Sequence, residues 1–340
     1  MAYSKNAPFR ADVVGSYLRP DELKQARADY AAGIIDAAGL KAIEDRLITD
    51  LVAKQKAAGL HVITDVPPAD TATVTGKLDG HDHPFVEHFK FVKQFEDDNT
   101  VARQTMPSPA QTRFVLTGNK NAYPYDEFYK DDDELTADIV AAYRQVIADL
   151  YAAGCRNVQF DDCTWTRLCD KSVRERLGWS DEDAARLQQE NLDVINAVIA
   201  DQPDDLVINT HICRGNFHST WLSSGGYAPV AAKLFGEENV NAYYLEFDDD
   251  RSGDFAPLAE VSGDKQVVLG LVTSKRPELE DPETIKARIS EAAQYVPLDR
   301  LCLSTQCGFA STEEGNKLTE EQQWAKIALV RSIAEEVWGK

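Results

Sequence analysis

Apolar, β-branched runs of strand length recur along this chain, most of them followed by a stretch with helical spacing. That alternation limits the fold more than any other feature. The runs are Phe9–Tyr17, Leu60–Asp65, Thr100–Met106, Asn157–Asp162, Leu206–Cys213, Val240–Phe247, Gln266–Thr273 and Leu301–Cys307. Several lack a polar face, as strands buried on both sides of a parallel sheet do. Between them the spacing predicts a long helical region from Asp21 to about Ala58. Further helices are expected at Phe85–Phe95, Leu135–Ala153, Asp181–Ala200, Ala228–Phe235, Pro282–Tyr295 and Thr319–Trp338. Ser180 is the expected N-cap before an acidic first turn. Pro107 and Pro109 stop the third strand, and Tyr123–Asp133 reads as a polar, aromatic excursion. About eight strand–helix units in one chain favour an α/β fold, a (β/α)8 barrel of TIM type with parallel strands and loop insertions. No G-x-G-x-x-G follows the first strand, which argues against a dinucleotide-binding sheet. Residues 1–340 read as a single barrel domain.

Charge narrows the partners. With 36 basic against 57 acidic residues the formal net charge is −21, unsuited to nucleic acid or an anionic membrane. The start, Met1-Ala-Tyr-Ser-Lys-Asn, has no apolar signal core, and no run is long enough to span a bilayer. The expectation is a cytoplasmic protein acting on small molecules; self-association into a homo-oligomer is left open. Its cysteines, Cys155, Cys163, Cys169, Cys213, Cys302 and Cys307, are then buried hydrophobes, metal ligands or nucleophiles rather than disulfides.

In a (β/α)8 barrel chemistry gathers where the strands end at their C-terminal face. The residues at those ends are Ser16, Asp65, Asp161, His211, Cys213, Glu246 and Cys307. His211 and Cys213, two apart on a strand, point the same way. Each alone has a bland explanation: a hydrogen-bonded core histidine, a packed small residue, a solvated charge within Glu246-Phe-Asp-Asp-Asp250. Together, one nitrogen, two sulfurs and one carboxylate oxygen suit Zn2+ over magnesium or calcium.

The pieces Val14-Gly15-Ser16, Val158-Gln-Phe-Asp161, His211-Ile-Cys213-Arg-Gly-Asn216, Tyr244-Leu-Glu246-Phe247, Gly270-Leu-Val-Thr-Ser274-Lys275 and Ser304-Thr-Gln-Cys307-Gly-Phe309 run from the first strand to the last. The set resembles the C-terminal catalytic domain of the cobalamin-independent methionine synthase family, in a short single-barrel form. The resemblance implies zinc on His211, Cys213, Glu246 and Cys307, and methyl transfer from 5-methyltetrahydrofolate (or its polyglutamate) to the thiol of homocysteine. It places the homocysteine carboxylate at Gly15 and Ser16 and the ammonium at Asp161; Asp162, next in sequence, is a candidate second carboxylate behind Asp161.

Two departures shape the expectation. In the family the second strand's Thr-Asp continues into Gly-Glu-Phe-Arg-Arg and a long aromatic-rich segment. Here Thr64-Asp65 passes directly to Val66-Pro67-Pro68, then Val74-Thr-Gly-Lys77 and His83-Pro84-Phe85. Long-form members also carry a histidine acid where Ser274-Lys275-Arg276 stands, so Lys275 is the candidate proton donor or anion contact. Trp165, Trp221 and Tyr244 lie near enough in sequence to the candidate loops to be tested as pterin-stacking residues, and none is assigned that role. The shortened loop keeps two alternatives open: a thiol alkyltransferase using a methylcorrinoid donor or another small thiol, and a non-catalytic zinc- and thiol-binding barrel.

Overall fold

The computed structural model describes residues 7–65, 74–118 and 123–339. Its centre is a six-stranded parallel sheet in sequential order: β3 (Gln104–Pro107), β4 (Asn157–Asp162), β5 (Val207–Ile212), β6 (Ala242–Glu246), β7 (Gln266–Val272) and β8 (Leu301–Thr305). Two short strands, β1 (Val62–Ile63) and β2 (Val101–Ala102), pair in parallel, and only Arg103 separates β2 from β3. Residues 101–107 therefore carry one ladder towards β1 and another towards β4. On the far edge Ala11 bridges Leu303 of β8, so the first chain segment lies beside the eighth strand. This is the order of a TIM-type barrel; seven of the eight predicted strands are present as strands, and the first, Phe9–Tyr17, contributes only the bridge at Ala11.

The seam between the first segment and β1 is held by side chains. Arg103 reaches across it, donating to the carbonyls of Val13 and Val14 and to Asp12 Oδ1 at 3.0 Å. Both partners of that ion pair are fully buried, and Tyr244 Oη ties into it, 2.9 Å from Arg103 and 3.0 Å from Asp12 Oδ2. Phe9, Val13, Leu60, Val62 and Val101 close the same seam with apolar contact.

Strand alternation divides each segment between lumen and outer layer. On β4, Val158 and Phe160 pack outward with Ile208 against Val146, Ile147, Leu150 and Val198. Those partners belong to the helices numbered α5 (Asp132–Ala152) and α8 (Asp181–Ile199) when the preceding ones are α1 (Asp21–Ala31), α2 (Ala37–Ala57), α3 (Pro84–Lys93), α4 (Pro109–Gly118), α6 (Thr164–Cys169) and α7 (Lys171–Leu177). On the other side Tyr243, Leu245, Val267 and Leu269 pack against α9 (Ala231–Glu237), α10 (Pro282–Ala292) and α11 (Glu320–Trp338). Asn157, Gln159 and Asp161 turn inward, as do His211 and Glu246, so the lumen is polar.

Ser180 caps α8 in a reciprocal capping box with Asp183, and Thr319 does the same for α11 with Gln322. The long helical region from Asp21 is broken at residues 32–36, where Asp36 caps a new helix by accepting from Gly39 N. Pro107 and Pro109 do stop a strand, but Pro109 also opens α4, where a missing N–H costs nothing. Asp162 points outward to cap α6, accepting from Thr164 N and Oγ1, both at 2.6 Å, and does not stand behind Asp161. Among the described residues no helix is long and apolar enough to cross a membrane.

One buried group opposes this packing. Glu238, after α9, is fully enclosed, and neither carboxylate oxygen has a hydrogen-bond partner among the described residues. Burial pushes its pKa well above the usual range, with Asp162 adding to the rise and Lys265 opposing it. The folded state thus holds a proton that the unfolded chain releases above about pH 4.3, so stability falls as pH rises through this window. Glu238→Gln is expected to stabilise by on the order of 1–3 kcal/mol at pH 8 and by much less at pH 4. Thermal unfolding at the two pH values checks this; an equal gain at both would remove Glu238 as the cause.

Candidate metal centre

His211, Cys213, Glu246 and Cys307 come together at the C-terminal rim of the sheet, on or just beyond the ends of β5, β6 and β8. All are buried, and one ligand atom from each lies within 4.8 Å of every other. The two sulfurs are 3.8 Å apart. In a tetrahedral site with Zn–S bonds of about 2.3 Å, sulfurs stand about 3.8 Å from each other. His211 Nδ1 is 3.2 Å from the carbonyl of Tyr244, which can only accept. That contact puts a proton on Nδ1 and leaves Nε2, which has no hydrogen-bond partner among the described residues, aimed at the cluster. The donor set, its spacing and this orphaned nitrogen fit zinc.

Each ligand is held from behind. Glu246 accepts at Oε1 from Arg214 N at 2.6 Å and at Oε2 from Arg251 Nη2 at 3.1 Å. Arg251 also pairs with Asp248 at 2.7 Å and with Asp249, so the acidic run after Glu246 is gathered around one guanidinium instead of being solvated. Gly215 N donates to Cys213 Sγ at 3.3 Å, and Ser311 Oγ lies 3.9 Å from Cys307 Sγ.

The ligands also shift one another's ionisation. Burial opposes a charge on His211, yet Cys307, Asp161 and Glu246 outweigh it and push its pKa up to about 9. The thiol of Cys213 is driven well above its ordinary value, through contacts with Cys163 and by burial, although its Cys307 contact opposes the rise. Contact with Cys213 and burial do the same to Cys307. Without a cation these groups thus keep their protons, and a metal bound there would displace them.

The other strand-end residues divide. Asp161 is the register partner of His211 across β4 and β5, is half-buried, and accepts from Gln159 Nε2 at 2.9 Å. Burial raises its pKa, with His211 opposing. Gly15 adopts φ 122°, a conformation suited to glycine, and presents Ser16 to the loop after Cys307. There Ser16 O accepts from Phe309 N at 2.7 Å, and Ser16 Oγ sits where a Cβ on residue 308 would be, 1.8 Å away, so only glycine fits at 308. Asp65 stands apart from the metal cluster. It lines a cavity of about 950 Å3 with Tyr17, Arg27, Glu44, His88 and Phe91. The shortened connection at residues 66–73 lies outside the described residues.

Lys275 is buried, and its ammonium donates to Gly215 O at 3.2 Å, Asn216 Oδ1 at 2.8 Å and Thr220 O at 3.1 Å. Of the three aromatics, Trp165 and Tyr244 are fully buried, whereas Trp221 is 52 % exposed with the Arg251 guanidinium 4.9 Å from its ring centre. Sequence reasoning passed over Arg251, Gln306, Asn216 and Asn316 as supporting groups. Asn216, inside the His-x-Cys-Arg-Gly-Asn run, and Gln306, just before Cys307 and 3.5 Å from Glu246 Oε2, lay within motifs that drew attention.

The site can now be set beside known proteins. The model of the family described as cobalamin-independent synthase, catalytic domain, matches residues 97–335. The uncharacterized protein YxjH of Bacillus subtilis is 44% identical, over 98% of this chain and 96% of its own length. That alignment runs to 368 positions against 340 residues here, so the relative carries residues with no counterpart in this chain. A solved structure from Listeria monocytogenes, provisionally assigned as a vitamin-B12 independent methionine synthase, is 38% identical with a TM-score of 0.79, covering 98% of this chain and 99% of its own. A 5-methyltetrahydropteroyltriglutamate–homocysteine methyltransferase of Rhodococcus jostii is 26% identical over 87% of this chain, which spans only 39% of that longer protein. By the family match and by the YxjH and Listeria likenesses over nearly its full length, this chain belongs to the cobalamin-independent synthase family, of which it carries the methyltransferase-type catalytic domain.

Proposed function

We propose that the chain moves a methyl group from 5-methyltetrahydrofolate, or its polyglutamate, to the thiol of homocysteine, giving methionine, with zinc on His211, Cys213, Glu246 and Cys307. The single observation that carries this reading is the buried one-nitrogen, two-sulfur, one-carboxylate cluster at the strand ends. Zinc there would supply the Lewis acidity that brings a substrate thiol, pKa about 8.5, to its thiolate at neutral pH. The chain's own groups bind and orient. Ser16, against the loop after Cys307, and the Gly15 turn receive the amino acid's carboxylate. Asp161, beside His211, receives its ammonium. Both groups sit on the amino acid's α-carbon, so holding them fixes that end and leaves the side chain to carry the thiol towards the cluster. The donor amine leaves only when a proton is delivered near N5.

The shortened connection after Asp65 and the unmatched residues in the YxjH alignment favour one second reading: the same thiol activation with a methylcorrinoid donor or another small thiol. Zinc-loaded protein, homocysteine, and either methyltetrahydrofolate (mono- and triglutamate) or methylcobalamin separate the two. Methionine from the folate donor is the expected result. Methionine from methylcobalamin alone transfers the assignment to the second reading. Ligand binding without product from any donor would leave a non-catalytic zinc- and thiol-binding barrel.

A further inference from the structure

Lys275 is 5 % exposed and has no ion-pair partner among the described residues; its three hydrogen bonds all go to neutral oxygens. A buried ammonium without a carboxylate is costly, so its charge needs an opposite one close by. Its neighbours lead in two directions. Gly215, whose carbonyl takes one ammonium proton, donates its own N–H to Cys213 Sγ. Asn216, whose Oδ1 takes another, donates through Nδ2 to Gly308 O at 2.8 Å and to Ser311 Oγ at 3.0 Å, the residues that flank and touch Cys307. Asn316 completes the hub, donating to Asn216 Oδ1 at 3.0 Å and to Ser274 O at 2.8 Å while accepting from Ser219 N at 2.8 Å. Lys275, three residues beyond β7, therefore fixes three points of the loop after Cys213, and Asn216 in that loop carries the connection on to the loop after Cys307.

We propose that Lys275 is the positioning residue of the metal centre: with Asn216 and Asn316 it sets the spacing of the two thiolate-bearing loops, and its fixed charge offsets the negative excess of two thiolates and a carboxylate around one divalent cation. The inference rests on the zinc reading above and goes beyond it, because it assigns Lys275 neither a proton to transfer nor a substrate to bind. The ammonium suits this role better than a guanidinium. It directs three donors to acceptors on different sides, whereas a planar fork favours acceptors in one plane.

The test uses the full chain, Zn2+ with a competing chromophoric chelator, and Co2+ as a spectroscopic stand-in. Lys275→Met keeps the side chain's stem up to the ammonium and removes charge and donors. It is expected to weaken zinc binding by about 10- to 100-fold, the usual cost of losing a group behind a metal ligand. The sulfur-to-cobalt absorption should also shift. Lys275→Arg should recover the affinity in part. Wild-type zinc affinity and an unaltered cobalt spectrum in Lys275→Met would overturn the inference while leaving the zinc site standing. A wild-type protein that fails to bind zinc would instead sink the functional reading itself. If Lys275→Met loses its circular dichroism signal, Asn316→Ala decides. Faster zinc loss to the chelator at unchanged secondary structure supports the hub, and unchanged loss overturns it.

Discussion

Replacing Cys307 with serine is expected to strip the protein of zinc and of activity together while leaving it folded. A serine hydroxyl is close in volume but remains protonated and hard, so it cannot substitute for a thiolate at a borderline-soft cation. The loss should exceed the ~100-fold that removal of a supporting group brings. Cys307 is 2 % exposed and its sulfur lies 3.8 Å from Cys213 Sγ, so its loss takes one of the two sulfurs from the centre of the cluster. Metal analysis of the purified variant beside its rate of methionine formation is the measurement. Zinc content equal to wild type would remove Cys307 from the ligand set and with it the geometry on which the proposed function rests.

The largest effect on stability is expected from Arg103→Met. Arg103 and Asp12 are both sealed from solvent, and the arginine also carries two carbonyls of the first strand and the Tyr244 hydroxyl. Its loss leaves the Asp12 carboxylate buried beside two backbone donors but without its cation. Breaking a pair of this kind from one side costs about 3–5 kcal/mol. Removing the charge on both sides, in Arg103→Met with Asp12→Asn, should recover a substantial part of that loss. Denaturant unfolding of the single and double variants measures both. A double variant as unstable as the single would show that the damage is to packing at the seam and not to an uncompensated charge.

The barrel and the cluster were legible for different reasons. Strands buried on both faces are rich in apolar and β-branched residues, and in β5 through β8 nearly every residue is shielded from water. The metal cluster was legible because strand side chains alternate and barrel strands end at a common rim. Positions near those ends therefore meet even when close to a hundred residues apart in sequence. Helix breaks were harder. Residues 32–36 interrupt a pattern whose helical spacing continues beyond the gap, and α4 hides behind prolines that also end a strand. Local propensity does not say which of these two uses a proline serves.

The supporting groups were out of reach. Arg251 follows Glu246 by five residues and looks like one charge among several, until the fold turns it back onto the carboxylate at 3.1 Å. Lys275 has the composition of a surface residue, yet the loop after β5 closes over it and takes up all three of its protons. Asp162 and Asp161 are adjacent in sequence and opposite in role, one capping a helix in the outer layer and one facing the lumen.

By itself, the sequence determined the alternation of strands and helices, the parallel barrel, and the identity of the four groups able to hold a metal. These depend on periodicity and residue chemistry, which are local. The tertiary structure alone decided how those groups are aimed and what surrounds them: the proton on His211 Nδ1, the 3.8 Å between the sulfurs, the carboxylates drawn to Arg251, and the lysine clamped by the loop after β5. Hydrogen bonds and buried charges act over a few ångströms between residues distant in sequence, so their partners exist only once the chain has closed.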